Sequence, residues 1–121
     1  MPTVLLVADR QSVIDHVRAS LSAPDMFVIE HRDPETAAGV AYEEDVDTVL
    51  VDMRVGSMGA MAVTRALRAA ADDRDPIPVT IYIDRDADNF IAGRSGADRW
   101  VPKSASASEL RAAVTPNGAD A

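Results

Sequence analysis

Three aspartates and a lysine stand directly after predicted strands, where chemistry is expected: Asp9, Asp52, Asp84 and Lys103. Two carboxylates that meet in one crevice repel each other, so either one of them keeps a proton or the pair holds a cation. Carboxylate oxygens suit Mg²⁺, and a nearby lysine can pair with a carboxylate or with a phosphoryl oxygen. The sequence therefore predicts a magnesium or phosphoryl site, provided that the fold brings these residues together.

Apolar runs typical of buried strands alternate with helical patterns along the chain. The predicted strands are Thr3–Val7, Met26–Glu30, Thr48–Val51, Ile77–Ile83 and Arg99–Val101. The predicted helices begin at Ser12, at Asp33-Pro34-Glu35, at Ala60, in a short segment through Phe90 and Ile91, and at Glu109 behind a capping box of Ser106 and Glu109. Because strand–helix–strand crossovers are right-handed, this alternation predicts a parallel sheet with helices on both faces. Ligands of such sheets bind beyond the carboxyl ends of the strands, where the aspartates and the lysine stand.

The composition excludes several classes of function. The chain has 121 residues, which is one domain, and no cysteine, so thiol catalysis, cysteine-ligated zinc and iron–sulfur clusters are excluded. A net charge of −8 and a pI near 4.5 argue against binding to nucleic acid or to an anionic membrane surface. No apolar run approaches the roughly 20 residues of a membrane span, and the N-terminus lacks the basic region of a signal peptide. We therefore expect a cytoplasmic protein.

Three segments resemble the receiver domain of bacterial two-component response regulators. They read VLLVAD at 4–9, DTVLVDMR at 47–54 and GADRWVPK at 96–103, and the pattern Ser-x-x-Glu-Leu follows at 106–110. The resemblance extends from Thr3 to Val114 and implies a flavodoxin-like (βα)₅ fold, a doubly wound parallel sheet with strand order 2-1-3-4-5. We expect a receiver domain over residues 1–114 and a flexible tail over 115–121.

The resemblance implies a role for each residue that matches the family's pattern. Asp52 matches the aspartate that accepts a phosphoryl group from a histidine kinase or a phosphotransfer protein. Asp9 matches a metal ligand, so Asp9, Asp52 and the backbone carbonyl of Arg54 would hold Mg²⁺. Lys103 matches the lysine that contacts the phosphoryl group, and Trp100 stands at the aromatic switch position of the fifth strand.

Four positions depart from the family's pattern. Ala8 replaces one member of the acidic pair, which should weaken Mg²⁺ binding. Ile83 stands in place of the switch serine or threonine and has no hydroxyl to donate to a phosphoryl oxygen. Asp84 replaces a small residue; it either adds negative charge at the pocket or pairs with Lys103 and mimics an occupied site. Ser104 replaces a proline, so we expect before it either a trans peptide bond or a cis bond whose strain is compensated, because the cis form costs roughly 2.5–4 kcal/mol without proline.

These observations leave three hypotheses. The first is a receiver phosphorylated on Asp52, with an unknown target protein that binds near the predicted fourth helix, the fifth strand and the last helix, where a homodimer could also form. The second is an atypical pseudo-receiver that acts as an interaction or dimerisation module without phosphorylation. The third, a flavodoxin-like enzyme or FMN carrier, is weak, because the first loop has no Gly/Ser/Thr-rich phosphate cradle. No catalytic triad or P-loop is suggested, so we expect no enzyme.

Other polar residues have simpler interpretations. Arg10 and Arg54 are predicted to place guanidinium groups near the pocket and so to offset the charge of Asp84. His16 and His31 have no second ligand at metal spacing and are predicted to be surface residues. The acidic stretch after Asp84 lacks the glycine and the glutamate of an EF-hand and is interpreted as a solvated loop.

Overall fold

The computed structural model describes residues 2–21, 26–56, 59–84 and 96–115. In chain order its elements are β1 (Thr3–Val7), α1 (Gln11–Ser20), β2 (Phe27–His31), α2 (Ala37–Glu43), β3 (Thr48–Asp52), α3 (Ala60–Ala71), β4 (Val79–Ile83), β5 (Arg99–Pro102) and α4 (Ala107–Val114). The short helix predicted through Phe90 and Ile91 and residues 116–121 of the predicted tail lie outside the described residues. No helix within those ranges is long and apolar enough to cross a membrane.

The five strands are parallel and lie in the order β2-β1-β3-β4-β5. This order confirms the predicted flavodoxin-like fold. The chain adds β2 on one side of β1 and then β3 on the other side, so the strand order reverses at β1. A crevice therefore opens between the carboxyl ends of β1 and β3. In the register of the central strands, Asp52 lies opposite Tyr82 and Ile83 lies opposite Pro102.

Both faces of the sheet are covered by apolar side chains. Successive strand residues point to opposite faces, so β3 places Val51 against the core of α2 and α3 and Leu50 against the core of α1 and α4. By the same alternation, Ile83 packs in the first core and Tyr82 in the second. Two residues after Leu50, Asp52 ends β3 on the side of α1 and α4.

The first helix begins earlier than predicted, and Ser12 does not cap it. Arg10, in an extended conformation, precedes Gln11 without a capping hydrogen bond from its side chain. Its backbone carbonyl accepts the first two helical hydrogen bonds, both 3.1 Å long, so Ser12 already belongs to the first turn. The Arg10 guanidinium instead reaches Asp52.

The second helix begins later than predicted, because Asp33 caps a turn that precedes it. The carboxylate of Asp33 accepts hydrogen bonds from the Glu35 N–H at 3.0 Å and from the Thr36 hydroxyl at 3.2 Å. The regular helix then starts at Ala37.

The last helix has the predicted capping box but starts two residues before Glu109. The hydroxyl of Ser106 accepts from the Glu109 N–H at 3.1 Å, and the Glu109 carboxylate accepts from the Ser106 N–H at 3.3 Å. In a capping box the glutamate is the third helical residue, so Ala107 is the first.

The fourth strand starts at Val79, just after Pro78, which has no N–H to donate to the sheet.

Candidate functional site

Asp52 lies at the centre of the crevice, fully buried, and both of its carboxylate oxygens contact a cation. The ammonium nitrogen Nζ of Lys103 lies 2.6 Å from Oδ1, and Nη2 of Arg10 lies 3.2 Å from Oδ2. The Arg54 N–H also donates to Oδ1, at 3.1 Å. A buried carboxylate needs such partners, because its charge is costly outside water. The predicted meeting of Asp52 and Lys103 is therefore confirmed, and so is the approach of Arg10.

Asp84 lies beside this pair and contacts two cations, the shared Lys103 and Arg54. Its Oδ1 lies 2.5 Å from Nζ of Lys103, and its Oδ2 accepts from Nε of Arg54. Partial burial alone would raise the pKa of the Asp84 carboxyl, but the hydrogen bonds and charges of Lys103 and Arg54 outweigh it and lower this pKa. Of the two predicted alternatives for Asp84, the structure has the pairing with Lys103.

Lys103 owes its position to the end of the sheet. Its backbone N–H donates to the carbonyl of Ile83 at 2.8 Å, which continues the pairing of β4 with β5 by one residue. No cis peptide bond occurs among the described residues, so the bond before Ser104 is trans, the first of the two expected alternatives. The short β5 thus delivers the ammonium to the crevice without a proline after Lys103.

Asp9 is exposed at the mouth of the crevice, where its Oδ2 accepts from the Gly56 N–H at 2.9 Å. Its neighbour Ala8 is buried among apolar side chains and supplies no oxygen. The oxygens that the sequence predicts as metal ligands are those of Asp9, Asp52 and the Arg54 backbone carbonyl. They are hard donors of the kind that Mg²⁺ prefers, so they fit this ion with fewer protein ligands than the family's pattern. The described residues contain no group of three or more acidic, histidine or cysteine side chains that could hold a metal.

Gly56 is a site residue that the sequence did not indicate, and its exchange for alanine tests the contact with Asp9. The added Cβ would lie 2.6 Å from Asp9 Oδ2, so the carboxylate would have to leave the Gly56 N–H. We expect Gly56→Ala to lower the free energy of unfolding by about 1 kcal/mol. The control is Gly39→Ala, where nothing lies within 4 Å of the new Cβ; this helical position should gain roughly 0.5–1 kcal/mol. Urea unfolding measures both, and a gain for Gly56→Ala would contradict the contact.

The two predicted switch positions are not joined to the pocket through their side chains. Ile83 is completely buried in the core under α2 and α3, and only its carbonyl serves the site, by holding Lys103. Trp100 is 41% exposed on β5. An isoleucine that packs away from Asp52 cannot pass a hydrogen bond from a phosphoryl group to Trp100.

Tyr82 is a second site residue that was missed. Its ring is buried, Nζ of Lys103 lies 5.8 Å from the ring centroid, and the ring of His16 stacks on it at 6.3 Å. Its hydroxyl has no hydrogen-bond partner among the described residues. Burial and, to a smaller extent, the charge of Asp52 raise the Tyr82 pKa to about 12. The fold therefore favours the neutral phenol. The stability that this contributes is fully present below the ordinary pKa of tyrosine and is lost as the pH rises through the raised value. The sequence feature that could have indicated Tyr82 is its position two residues before Asp84, since residues two apart in a strand point to the same face.

The two histidines differ in exposure. His16 is exposed on α1, as predicted. His31 is half-buried at the end of β2, where its Nε2 lies 2.7 Å from the Thr36 hydroxyl oxygen.

Known proteins resemble this chain over nearly its whole length. A model of the response regulator receiver domain family matches residues 4–115. The sensory transduction protein RegX3 of Mycolicibacterium smegmatis is 32% identical over 125 aligned residues, which cover 99% of this chain and 53% of that protein. The chain therefore spans about half the length of this relative.

Solved structures show the same fold. A response regulator receiver domain protein from Clostridium thermocellum superimposes with a TM-score of 0.77 at 20% identity, covering 93% of this chain and 90% of the other. The BeF₃-activated N-terminal receiver domain of RstA from Klebsiella pneumoniae superimposes with a TM-score of 0.75 at 24% identity, covering 89% and 91%. The family match includes all five strands except the first residue of β1, together with Asp9, Asp52 and Lys103, and this chain therefore belongs to the response regulator receiver domain family.

Proposed function

We propose that this receiver accepts a phosphoryl group on Asp52 from a histidine kinase or a phosphotransfer protein, and that it signals through protein contacts rather than as an enzyme. The observation that carries the proposal is the buried Asp52 carboxylate with the Lys103 ammonium 2.6 Å from Oδ1. The step forms an oxygen–phosphorus bond and breaks the phosphorus–nitrogen bond of the donor, whose imidazole keeps the electron pair. Lys103 is placed to stabilise the negative charge on the phosphoryl oxygens.

We propose further that Asp9, Asp52 and the backbone carbonyl of Arg54 hold Mg²⁺, and hold it weakly. A bound Mg²⁺ would neutralise negative charge on the phosphoryl oxygens. Affinity for a hard cation depends on the number and charge of its ligands, and Ala8 supplies neither. Arg10, whose guanidinium contacts Asp52 Oδ2 at 3.2 Å, competes with the metal for this carboxylate.

An NMR titration of backbone amides tests the proposed function, first with Mg²⁺ and then with Mg²⁺ plus beryllofluoride, an acyl-phosphate mimic. We expect saturable shifts around Asp9, Asp52 and Lys103, and none of the beryllofluoride shifts in Asp52→Asn. Asp73→Asn serves as the control, since it changes the net charge equally at an exposed position in the loop after α3. A wild-type chain that does not respond at millimolar Mg²⁺ would overturn the proposal.

A second candidate, a pseudo-receiver that works without phosphorylation, is supported by the charge balance of the pocket. Every carboxylate oxygen of Asp52 and Asp84 contacts a cationic side chain of the same chain. Contacts with a target protein or a second copy would then involve β5 and α4, where Trp100 is exposed. Partner binding that is unchanged in Asp52→Asn would favour this candidate.

A further inference from the structure

The Lys103 ammonium that a phosphoryl group on Asp52 would contact is already shared with Asp84. We propose that the Asp84 carboxylate is an internal competitor of the phosphoryl group, which must displace it from Lys103 when Asp52 is modified. The proposal rests on the function proposed above, because it takes Asp52 as the phosphoacceptor. It makes Asp84 a residue that governs which anions enter the pocket and how tightly they bind.

The geometry at Lys103 supports direct competition. Its Nζ lies 2.6 Å from Oδ1 of Asp52 and 2.5 Å from Oδ1 of Asp84, so the two aspartates approach the same nitrogen. An ammonium has three N–H donors, and one remains for a third acceptor. A phosphoryl oxygen that used it would lie beside the Asp84 carboxylate, and a phosphoryl group carries up to two negative charges of its own. Repulsion therefore opposes its entry as long as Asp84 stays in place.

Arg54 determines where Asp84 can go. The Arg54 guanidinium holds the other oxygen of Asp84, and its side chain is 58% exposed, whereas that of Lys103 is only 20% exposed. Asp84 can therefore leave Lys103 towards solvent and keep its ion pair with Arg54. Phosphorylation would then free Lys103 for the phosphoryl group without leaving a buried charge unpaired.

The test compares the affinity of beryllofluoride, in the presence of Mg²⁺, for the wild type and for Asp84→Asn, with Asp73→Asn as the charge-matched control. Asparagine keeps the shape of the side chain and removes its charge. Lys103 is the one lysine of the sequence, so lysine labelled with ¹³C at Cε reports a single NMR signal from the pocket. A circular dichroism spectrum checks the fold of each variant, and Asp84→Ser replaces Asp84→Asn if the latter does not fold.

We expect beryllofluoride to bind Asp84→Asn about tenfold more tightly than the wild type, the equivalent of one ion pair to a partly buried group. The lysine signal should shift in the ligand-free variant, and Asp73→Asn should behave as the wild type. Binding to the variant alone would also support the competition. Equal or weaker binding to the variant, with a normal response at Asp52, would overturn this inference and leave the proposed function intact. If neither chain binds, the proposed function fails and the inference fails with it.

Discussion

Replacing Lys103 with methionine should lower the free energy of unfolding by about 3 kcal/mol, the low end for breaking a buried ion pair. The ammonium contacts Asp52 and Asp84, and Asp52 is completely buried. Without Lys103 the two carboxylates face each other with only the more exposed arginines as partners. Methionine preserves the aliphatic stem, so the loss reports the charge rather than the packing.

Urea unfolding at neutral pH measures this loss against a surface control. Arg18→Met removes the same charge from the exposed pair of Arg18 and Glu30 and should cost less than about 1 kcal/mol. The cost of Lys103→Met should also fall in an Asp84→Asn background, because one of the two unpaired carboxylates is then absent. Equal losses for Lys103→Met and Arg18→Met would refute the role of Lys103 in holding the pocket together.

The cost of Lys103→Met should also depend on pH. Because the pKa of Asp84 is lowered in the fold, its ion pairs stabilise the protein above the ordinary pKa of 3.8, and this stability is lost as the pH falls through the lowered value. A protonated Asp84 does not need Lys103, so the difference in stability between the wild type and the variant should become smaller in acid.

Replacing Arg10 with glutamine should raise the affinity for Mg²⁺ about tenfold, which corresponds to about 1.4 kcal/mol of binding free energy. The guanidinium contacts Asp52 Oδ2 and brings a positive charge close to the proposed metal ligands. Removing it frees an oxygen for the ion and abolishes the repulsion between two cations. The variant should lose little stability, because 45% of the arginine side chain is exposed and Lys103 still holds Asp52.

Calorimetric or NMR titration of the metal-free chain with Mg²⁺ measures this change. Arg74→Gln is the matched control, since it removes the same charge in the loop after α3, where Arg74 lies over the ring of Tyr42. An unchanged or weaker affinity in Arg10→Gln would show that Arg10 does not compete with the metal.

Most of the fold could be predicted from the sequence, because buried strands of a parallel sheet appear as continuous apolar runs. All five predicted strands are present, four of them with ends displaced by one or two residues. The other errors concern helix starts. Arg10 and Asp33 determine where α1 and α2 begin, through backbone and side-chain hydrogen bonds that a propensity pattern does not contain.

The site residues that could be predicted from the sequence are those that lie at the carboxyl ends of strands. Asp52 and Lys103 meet because parallel strands bring their carboxyl ends to one edge of the sheet. The contact of Gly56 with Asp9 could not be predicted, since a loop backbone N–H has no signature in the sequence. Tyr82 was taken for part of an apolar strand, although it lies beside Lys103.

By itself, the sequence determined the order of strands and helices, the family, and the residue types that reach the carboxyl edge of the sheet. Only the tertiary structure decided how the charges pair there. Asp84 could have faced solvent or Lys103, and Arg10 could have extended away from Asp52, because charged side chains next to solvent have several rotamers of similar energy. Because Asp52 is fully buried, its carboxylate is removed from water and attracts the nearest cations. This attraction favours the paired arrangement of the charges.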